Sequence, residues 1–269
     1  MGKSLETTAP SGVPGWPRQT ARLERAGRTA LDLIYPPRCP VTDEPVIRHG
    51  AFSGAAWART RMISAPQCEA CGLPFALTDP VAPLCAPCAA PARFPASLTG
   101  PRRLDRVRSA LAYDEEAAGL VMGLKYADRH DQVPALARLM AVAGDVLLER
   151  DVVLVPVPLH RRRLAARRFN QAALLSGALA KLSGHPHAPL MLARTKATPK
   201  QKGMSARGRR LNVAGAFALR RGQAAKGARI VLIDDVLTTG ATLTACARVL
   251  RGAGAMSVEA LTLARVLKQ

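Results

Sequence analysis

The sequence predicts an α/β fold: a doubly wound parallel sheet, preceded by a small N-terminal four-cysteine module. Three observations carry that reading. Ile230-Val231-Leu232-Ile233 is a short apolar run rich in β-branched residues, as a strand buried on both faces requires. It leads into Asp234-Asp235, a Thr/Gly loop, and helically spaced residues from Leu243 to Leu250. Strand-like and helix-like segments alternate from Val107 to Ala264, the pattern of a parallel sheet with crossover helices. Upstream, Cys68-x-x-Cys71 and Cys85-x-x-Cys88 stand 13 residues apart, a spacing that suits four thiolates around one tetrahedral zinc ion.

In chain order, residues 1–20 are rich in Pro, Gly, Ser and Thr, lack the apolar stretch of a signal peptide, and read as a disordered tail of a cytoplasmic protein. Residues 21–100 form the next unit. Leu23, Ala26, Ala30, Leu31 and Ile34 give Ala21–Ile34 the spacing of an amphipathic helix, ended by Pro36-Pro37. The cysteine module follows. With no secretory signal, zinc is the reading for its cysteines rather than a disulfide or redox pair. All four positions are filled by protein, so the metal is structural, and it supplies much of the folding free energy of a segment interrupted by Pro66, Pro74, Pro80, Pro83, Pro87, Pro91 and Pro95.

Residues 101–269 carry the alternating pattern. A strand is expected at Val107–Tyr113, a helix at Glu115–Leu124, a longer helix at Val133–Leu148 and a buried strand at Val152–Val155. Arg161–Asn170 reads as a basic loop or helix start, followed by a helix over Gln171–Leu182. A strand at Val213–Leu219, the apolar strand at 230–233, a helix over Ala241–Arg251 and a last strand at Val258–Ala264 complete the unit. No internal repeat stands out. No run approaches 18 apolar residues, so no membrane span is expected.

The formal charge is +20, and its placement is informative. From Val152 to Ile233 there is no Asp or Glu, against 17 Arg and Lys. Such a field attracts polyanions, either nucleic acid or a pyrophosphate-bearing substrate, or it is a solvated basic surface. Aromatic residues, at 4%, are few for base stacking.

The chemistry concentrates at 234–242. Ligands of open α/β sheets bind beyond the carboxyl ends of the strands. There a Thr/Gly loop opening a helix can turn backbone N–H groups and hydroxyls toward a phosphate. Gly240 lets the backbone approach closely. Two adjacent carboxylates suit the vicinal hydroxyls of a ribose, directly or through hydrated Mg²⁺.

This stretch resembles the phosphoribosyl-diphosphate (PRPP) signature of type I phosphoribosyltransferases. The resemblance implies that Asp234 and Asp235 are the catalytic acids holding the ribose hydroxyls and Mg²⁺, and that Thr238, Thr239, Gly240, Ala241 and Thr242 cradle the 5′-phosphate. Val157 and Pro158, in a loop whose prolines restrict the backbone, are placed for the pyrophosphate, with Arg168 and Lys125 as nearby cations. Arg161 and Arg167 are further cations. Arg194–Asn212 reads as a mobile basic loop able to close over a ligand, with Gln201, Arg207 and Arg210 as contacts. His160 reads as a structural histidine or an acid/base. Thr238 stands where some purine-salvage relatives carry Asp, which argues against that specificity.

Taken together, Lys125-Tyr126, Val155-Pro156-Val157-Pro158-Leu159-His160, Arg168-Phe169-Asn170-Gln171, Arg194, Arg210, Asn212-Val213, Ala216-Phe217 and the Asp-Asp loop resemble the ComF family over roughly Leu31 to Val266. The resemblance implies a zinc module on a phosphoribosyltransferase-like domain, binding of PRPP or a related ribose-phosphate with Mg²⁺, and a role in natural transformation, where imported single-stranded DNA is handled. It leaves open a catalytic transferase or a non-enzymatic DNA-handling adaptor that contacts a competence helicase. Family members often carry a first zinc site. Here its knuckles read Cys39-Pro40-Val41-Thr42 and Phe52-Ser53-Gly54-Ala55-Ala56-Trp57, so one zinc is expected, with Cys39 a leftover small residue or an exposed thiol. Cys246 reads as a packed core residue.

Overall fold

In a computed structural model, the described residues are 35–76, 82–94, 97–100, 103–126, 130–149, 151–196, 208 and 213–267. The tail, the helix expected at Ala21–Ile34, and Gln201, Arg207 and Arg210 lie outside them. The account below concerns the unit Arg38–Gln269.

Two short helices, α1 (Gly54–Arg59) and α2 (Ala86–Ala89), belong to the cysteine-rich part. The sheet part then runs β1 (Val107–Ala112), α3 (Glu115–Tyr126), α4 (Val133–Ala143), α5 (Asp145–Leu148), β2 (Val153–Pro156), α6 (Arg161–Arg167), α7 (Gln171–Ser183), β3 (Leu192–Arg194), β4 (Phe217–Leu219), β5 (Arg229–Leu237), α8 (Ala241–Gly252) and β6 (Ser257–Arg265).

The main sheet has order β1-β6-β5-β2 and every pairing is parallel. Alternate residues of one strand serve opposite faces. Ile230 and Leu232 pack with Leu243, Ala247 and Leu250 of α8. Val231 and Ile233 pack with Leu120 and Leu124 of α3, Leu136 and Met140 of α4, and Leu175 and Leu179 of α7. Helices on both faces explain why β5 reads as a continuous apolar run rather than an alternation. Truncating a fully buried leucine such as Leu136 or Leu175 to alanine costs roughly 2–5 kcal/mol.

Three segments differ from the sequence reading, and a fourth takes one of its two alternatives. The expected long helix is two, broken at Gly144, which leaves helical geometry at φ −103° and ψ 12° and sits so close to β6 that a Cβ would meet Leu261 Cδ2 at 2.6 Å. Close packing on β6, not helix propensity, decides that position. β5 continues through Asp234 and Asp235 to Leu237, so the acids sit on the strand itself. The strand expected at Val213–Leu219 is limited to Phe217–Leu219, and it pairs antiparallel with β3, which the sequence did not indicate. Arg161–Arg167 is helical, capped by His160.

Among the described residues, no helix is long and apolar enough to cross a membrane.

Candidate functional site: an acid pair, a Thr/Gly loop and a four-cysteine ribbon

The carboxyl ends of β2 and β5, the C-terminal half of α6 and the start of α7 enclose a cleft of about 730 Å³. That lies within the range of small-molecule sites. Asp234, Asp235, Thr238, Thr242, Lys125, Val157, Pro158 and Arg168 all line it, so it gathers residues from four separate stretches of chain. Gly240 and Ala241 line a smaller adjoining recess with Asp234, Thr238 and Thr242. Thr239 lines neither; its hydroxyl is buried without a protein partner.

Each wall has a local cause. Gly240 takes φ 70° as N-cap of α8 and offers no side-chain cap, so the first amides of that helix are left for a ligand or water. Val157 N–H donates to Ile233 O at 2.9 Å, seating its loop against β5. Asn170 ties the same loop to α7: its Nδ2 donates to Val157 O at 3.0 Å, and its Oδ1 accepts from Ala172 N–H at 3.1 Å. Arg168, exposed, ends α6 in the left-handed region at φ 64°, a conformation seldom taken by a non-glycine residue.

The acids are already engaged. Lys125 Nζ lies 2.7 Å from Asp235 Oδ2, with both side chains largely buried. Asp235 N–H donates to Asp234 Oδ1 at 2.9 Å. Burial, and then the neighbouring Asp235 carboxylate, push Asp234 up to about 8, against the opposing pull of the Asp235 N–H, Lys125 and Arg194. Burial beside a second carboxylate thus favours the protonated form of Asp234, next to the Lys125–Asp235 ion pair. The two acids are hard oxygen donors at a cleft wall, which fits a hydrated Mg²⁺ held through few protein ligands.

Several cleft residues were not singled out as ligand contacts by sequence reasoning. Tyr113 and Met122, both partly exposed, supply an apolar wall. Arg163 and Arg194 add cations beside Arg167, which the sequence already marks as one; Arg194 lies at the end of β3, its guanidinium 5.3 Å from the Phe217 ring centroid. Gln171 is buried, accepting from Arg167 at 3.2 Å while its Nε2 meets no protein acceptor. Only the basic clustering around 161–168 pointed to this wall. His160 is not on it: its Nδ1 accepts from Arg162 N–H at 3.3 Å, and burial with four nearby arginines lowers its pKa, so it caps α6 as a neutral ring. Cys246 is fully buried in the core.

The second constellation is the ribbon. One sulfur atom from each of Cys68, Cys71, Cys85 and Cys88 lies within 4.8 Å of the others. Two backbone amides, of Cys71 and Cys85, donate to Cys68 Sγ at 3.5 and 3.4 Å, the arrangement that stabilises a thiolate. Four sulfur donors gathered this closely, with no other donor type among them, fit zinc in a structural role. Cys39 is separate and 1% exposed, which settles it as a buried residue rather than an exposed thiol. Burial pushes its thiol up, but the Ser53 N–H and the Thr42 hydroxyl outweigh that and bring it to about 7.

Comparison with known proteins agrees with both constellations. Residues 30–89 match the double zinc ribbon domain, and residues 188–269 match the phosphoribosyl transferase domain. The chain is 35% identical over 196 residues to the DNA utilization protein YhgH of Salmonella typhimurium, covering 68% of this chain and 85% of that one. It is 33% identical to Competence protein F of Haemophilus influenzae, over 57% of this chain and 69% of that one. Competence protein ComFC of Bacillus subtilis is 41% identical over 44% of this chain and 46% of its own length. Solved structures with a partial likeness include a phosphoribosylpyrophosphate synthetase from Mycobacterium smegmatis, at 18% identity and TM-score 0.30 over 50% of this chain and 34% of that one. A hypoxanthine phosphoribosyltransferase from Staphylococcus aureus aligns at 14% identity and TM-score 0.34, over 51% and 64%. The cysteine ribbon, the parallel sheet with its Asp-Asp-Thr-Gly loop, and the likeness to the YhgH proteins over 85% of their length together make this chain a member of the ComF family.

Proposed function

We propose that this protein binds PRPP or a related ribose-phosphate together with Mg²⁺ in the cleft at the carboxyl end of β5, in the service of DNA uptake and use. The observation that carries the reading is convergence. A helix N-terminus for the 5′-phosphate, an acid pair for the ribose hydroxyls, and cations for a diphosphate meet in one cleft. Asp234 and Asp235 hold the hydroxyls, Thr238–Thr242 hold the phosphate, and Val157, Pro158, Lys125 and Arg168 face the diphosphate. Bound Mg²⁺ would neutralise the diphosphate and favour its departure. When an acceptor is present, the bond between the ribose anomeric carbon and the diphosphate oxygen breaks as the acceptor bond forms. The names of the relatives, DNA utilization and competence proteins, support the cellular role.

Calorimetry of PRPP with Mg²⁺ tests this. Asp234→Asn/Asp235→Asn is expected to lose roughly 2 kcal/mol or more, the scale of charge-assisted contacts. No binding by the wild type removes the reading. The proton on Asp234 competes with the incoming cation. Mg²⁺-dependent affinity therefore rises with pH up to about 8 and then levels off. A flat profile between pH 6 and 8 would show that Asp234 is not the group displaced.

A second reading is favoured by one observation. Arg161 and Arg162 are exposed on α6, whose Arg163, Ala166 and Arg167 line the cleft, and Arg168, also exposed, lines it too. This basic rim fits single-stranded DNA, with a competence helicase as the protein that would deliver or receive it. Its mark is an affinity that falls steeply with salt. Charge reversal at Arg161, Arg162 and Arg168 that leaves DNA affinity unchanged would remove it.

A further inference from the structure

The four-cysteine ribbon and the phosphate loop are far apart in sequence, yet short chains of contact join them. The Thr99 hydroxyl donates to Cys88 Sγ at 3.2 Å. Its neighbour Leu98 packs on the cluster of Cys68, Cys71 and Cys85 and also on the sheet core. Leu98 presses on the loop itself: a Cβ at Gly240 would collide with Leu98 Cδ2. Leu98 is held from behind, since Leu104 N–H donates to its carbonyl at 3.4 Å and Arg103 Nη1 donates to Ser97 O at 2.7 Å.

The second chain of contact runs through Arg265, at the end of β6. Its buried guanidinium donates to the Cys71 carbonyl and comes within 3.8 Å of Cys71 Sγ. Its backbone stands in register with Leu237, the residue before Thr238. Val266 N–H then donates to Leu237 O at 2.9 Å. A ligand residue of the ribbon is thus fastened to each side of the loop, Cys88 through Thr99 and Leu98 to Gly240, Cys71 through Arg265 to Leu237.

We infer that the ribbon is the buttress of the phosphate loop, with Leu98 and Arg265 as positioning residues. Gly240 has no side chain of its own to pack, so the loop takes its order from what presses on it. Ordering the cysteine cluster around zinc orders Leu98 and the Cys71 carbonyl, and these hold residues 238–242 ready for an anion. A loop ordered in advance binds without losing conformational freedom at that moment. Removing zinc therefore loosens the phosphate loop and not the ribbon alone. The consequence for ligand affinity rests on the ribose-phosphate reading; the consequence for loop order does not.

Hydrogen–deuterium exchange on the full chain tests this, with zinc content measured in parallel. In Leu98→Ala, amides of 238–244 are expected to exchange at least about tenfold faster, the factor that ~1.4 kcal/mol of lost packing gives. Zinc content, and exchange in Ile230–Ile233 and α7, stay unchanged. Leu98→Met, which conserves volume, restores slow exchange, and Arg265→Met reproduces the Leu98→Ala pattern more weakly. Wild type stripped of zinc by a chelator shows the same acceleration at 238–244. The inference is overturned if chelation loosens 68–88 while 238–244 keeps its wild-type rate. It is also overturned if Leu98→Ala speeds β5 and α7 as much as the loop. Should Leu98→Ala fail to fold, Leu98→Val decides the same question with a smaller shift. Affinity for ribose 5-phosphate, read by calorimetry, should weaken in Leu98→Ala by a comparable factor. If the wild type does not bind ribose 5-phosphate, the ribose-phosphate reading falls, and the exchange rates still decide whether the ribbon buttresses the loop.

Discussion

Residues 38–57 and the described residues of 67–89 are built on one hydrogen-bonded frame. In the first, Cys39 N–H donates to Glu44 O at 2.8 Å and Asp43 N–H returns to Cys39 O at 2.9 Å. In the second, Cys68 N–H donates to Leu73 O at 2.8 Å and Gly72 N–H to Cys68 O at 2.8 Å. The turns bridge alike, Arg38 with Pro45 and Gln67 with Pro74. Both then meet a helix N-cap, whose N–H donates to the first sulfur: Ser53 to Cys39 at 3.3 Å, Cys85 to Cys68 at 3.4 Å. What differs is the centre. Cys71 and Cys85 bring sulfurs to 3.6 Å, ready for a metal, whereas Thr42 and Ser53 bring hydroxyl oxygens to 2.8 Å and bond directly. Ala56 stands where the fourth ligand would be. One ribbon is closed by four thiolates and the other by hydroxyls and a buried thiol. The backbone frame of a zinc knuckle therefore persists here without the metal-binding side chains.

The strongest way to break this comparison is to exchange the centres. Thr42→Cys/Ser53→Cys/Ala56→Cys, together with native Cys39, should raise bound zinc from about one to about two equivalents by elemental analysis, since structural zinc contributes on the order of 10 kcal/mol. In the opposite direction, Cys71→Ser should empty the native site and expose 68–94 to proteolysis, while Cys39→Ser leaves the zinc content at about one. Zinc lost from Cys39→Ser would show that the two centres are not independent.

The same comparison marks how far the sequence could be read. The four cysteines were legible because thiolate ligands have a fixed spacing, and β5 with its acids was legible because burial on both faces demands a continuous apolar run. The first ribbon was legible only through the family resemblance, at Cys39–Thr42 and Phe52–Trp57, because its replaced side chains leave no ligand spacing of their own and its frame is made of backbone hydrogen bonds. Likewise β3, at three residues, is too short for periodicity to register, and β4 reads only as the end of a longer strand over Val213–Leu219. Lys125 was considered as a cation for the diphosphate, but its ion pair with Asp235 joins the end of α3 to β5, a juxtaposition set by packing rather than by spacing. The contacts of Leu98 with Gly240 and of Arg265 with Cys71 are likewise products of tertiary packing.

A smaller effect separates two residues of like conformation. Asp43 and Gly72 take φ 58° and 65° at matched positions of the two frames. A Cβ at Gly72 would stand 2.7 Å from Val107 O, where the ribbon meets β1, whereas Asp43 is exposed. Gly72→Ala should cost roughly 2 kcal/mol or more, from strain and collision together, and Asp43→Gly should stay within about 0.5 kcal/mol of wild type. Denaturant midpoints at fixed zinc measure both. Equal costs would mean that contact with the sheet does not distinguish the two turns.

The smallest effect tests the hydroxyl closure itself. Ser53 caps α1, its Oγ accepting from Ala56 N–H at 3.1 Å while sharing a hydrogen bond with Thr42. Cys85, its counterpart, makes no side-chain cap bond, because its sulfur faces the other cysteines. Replacing Ser53 by alanine removes the cap and leaves the Thr42 hydroxyl to find water or Glu44, which it already reaches at 2.9 Å. With Glu44 at hand, the loss is that of the cap alone, about 1 kcal/mol. Thermal melting of Ser53→Ala should show that modest loss with the zinc content unchanged. A loss several times larger would mean that the hydroxyl pair carries the first ribbon as the metal carries the second. No loss would mean that the backbone frame holds its shape without either.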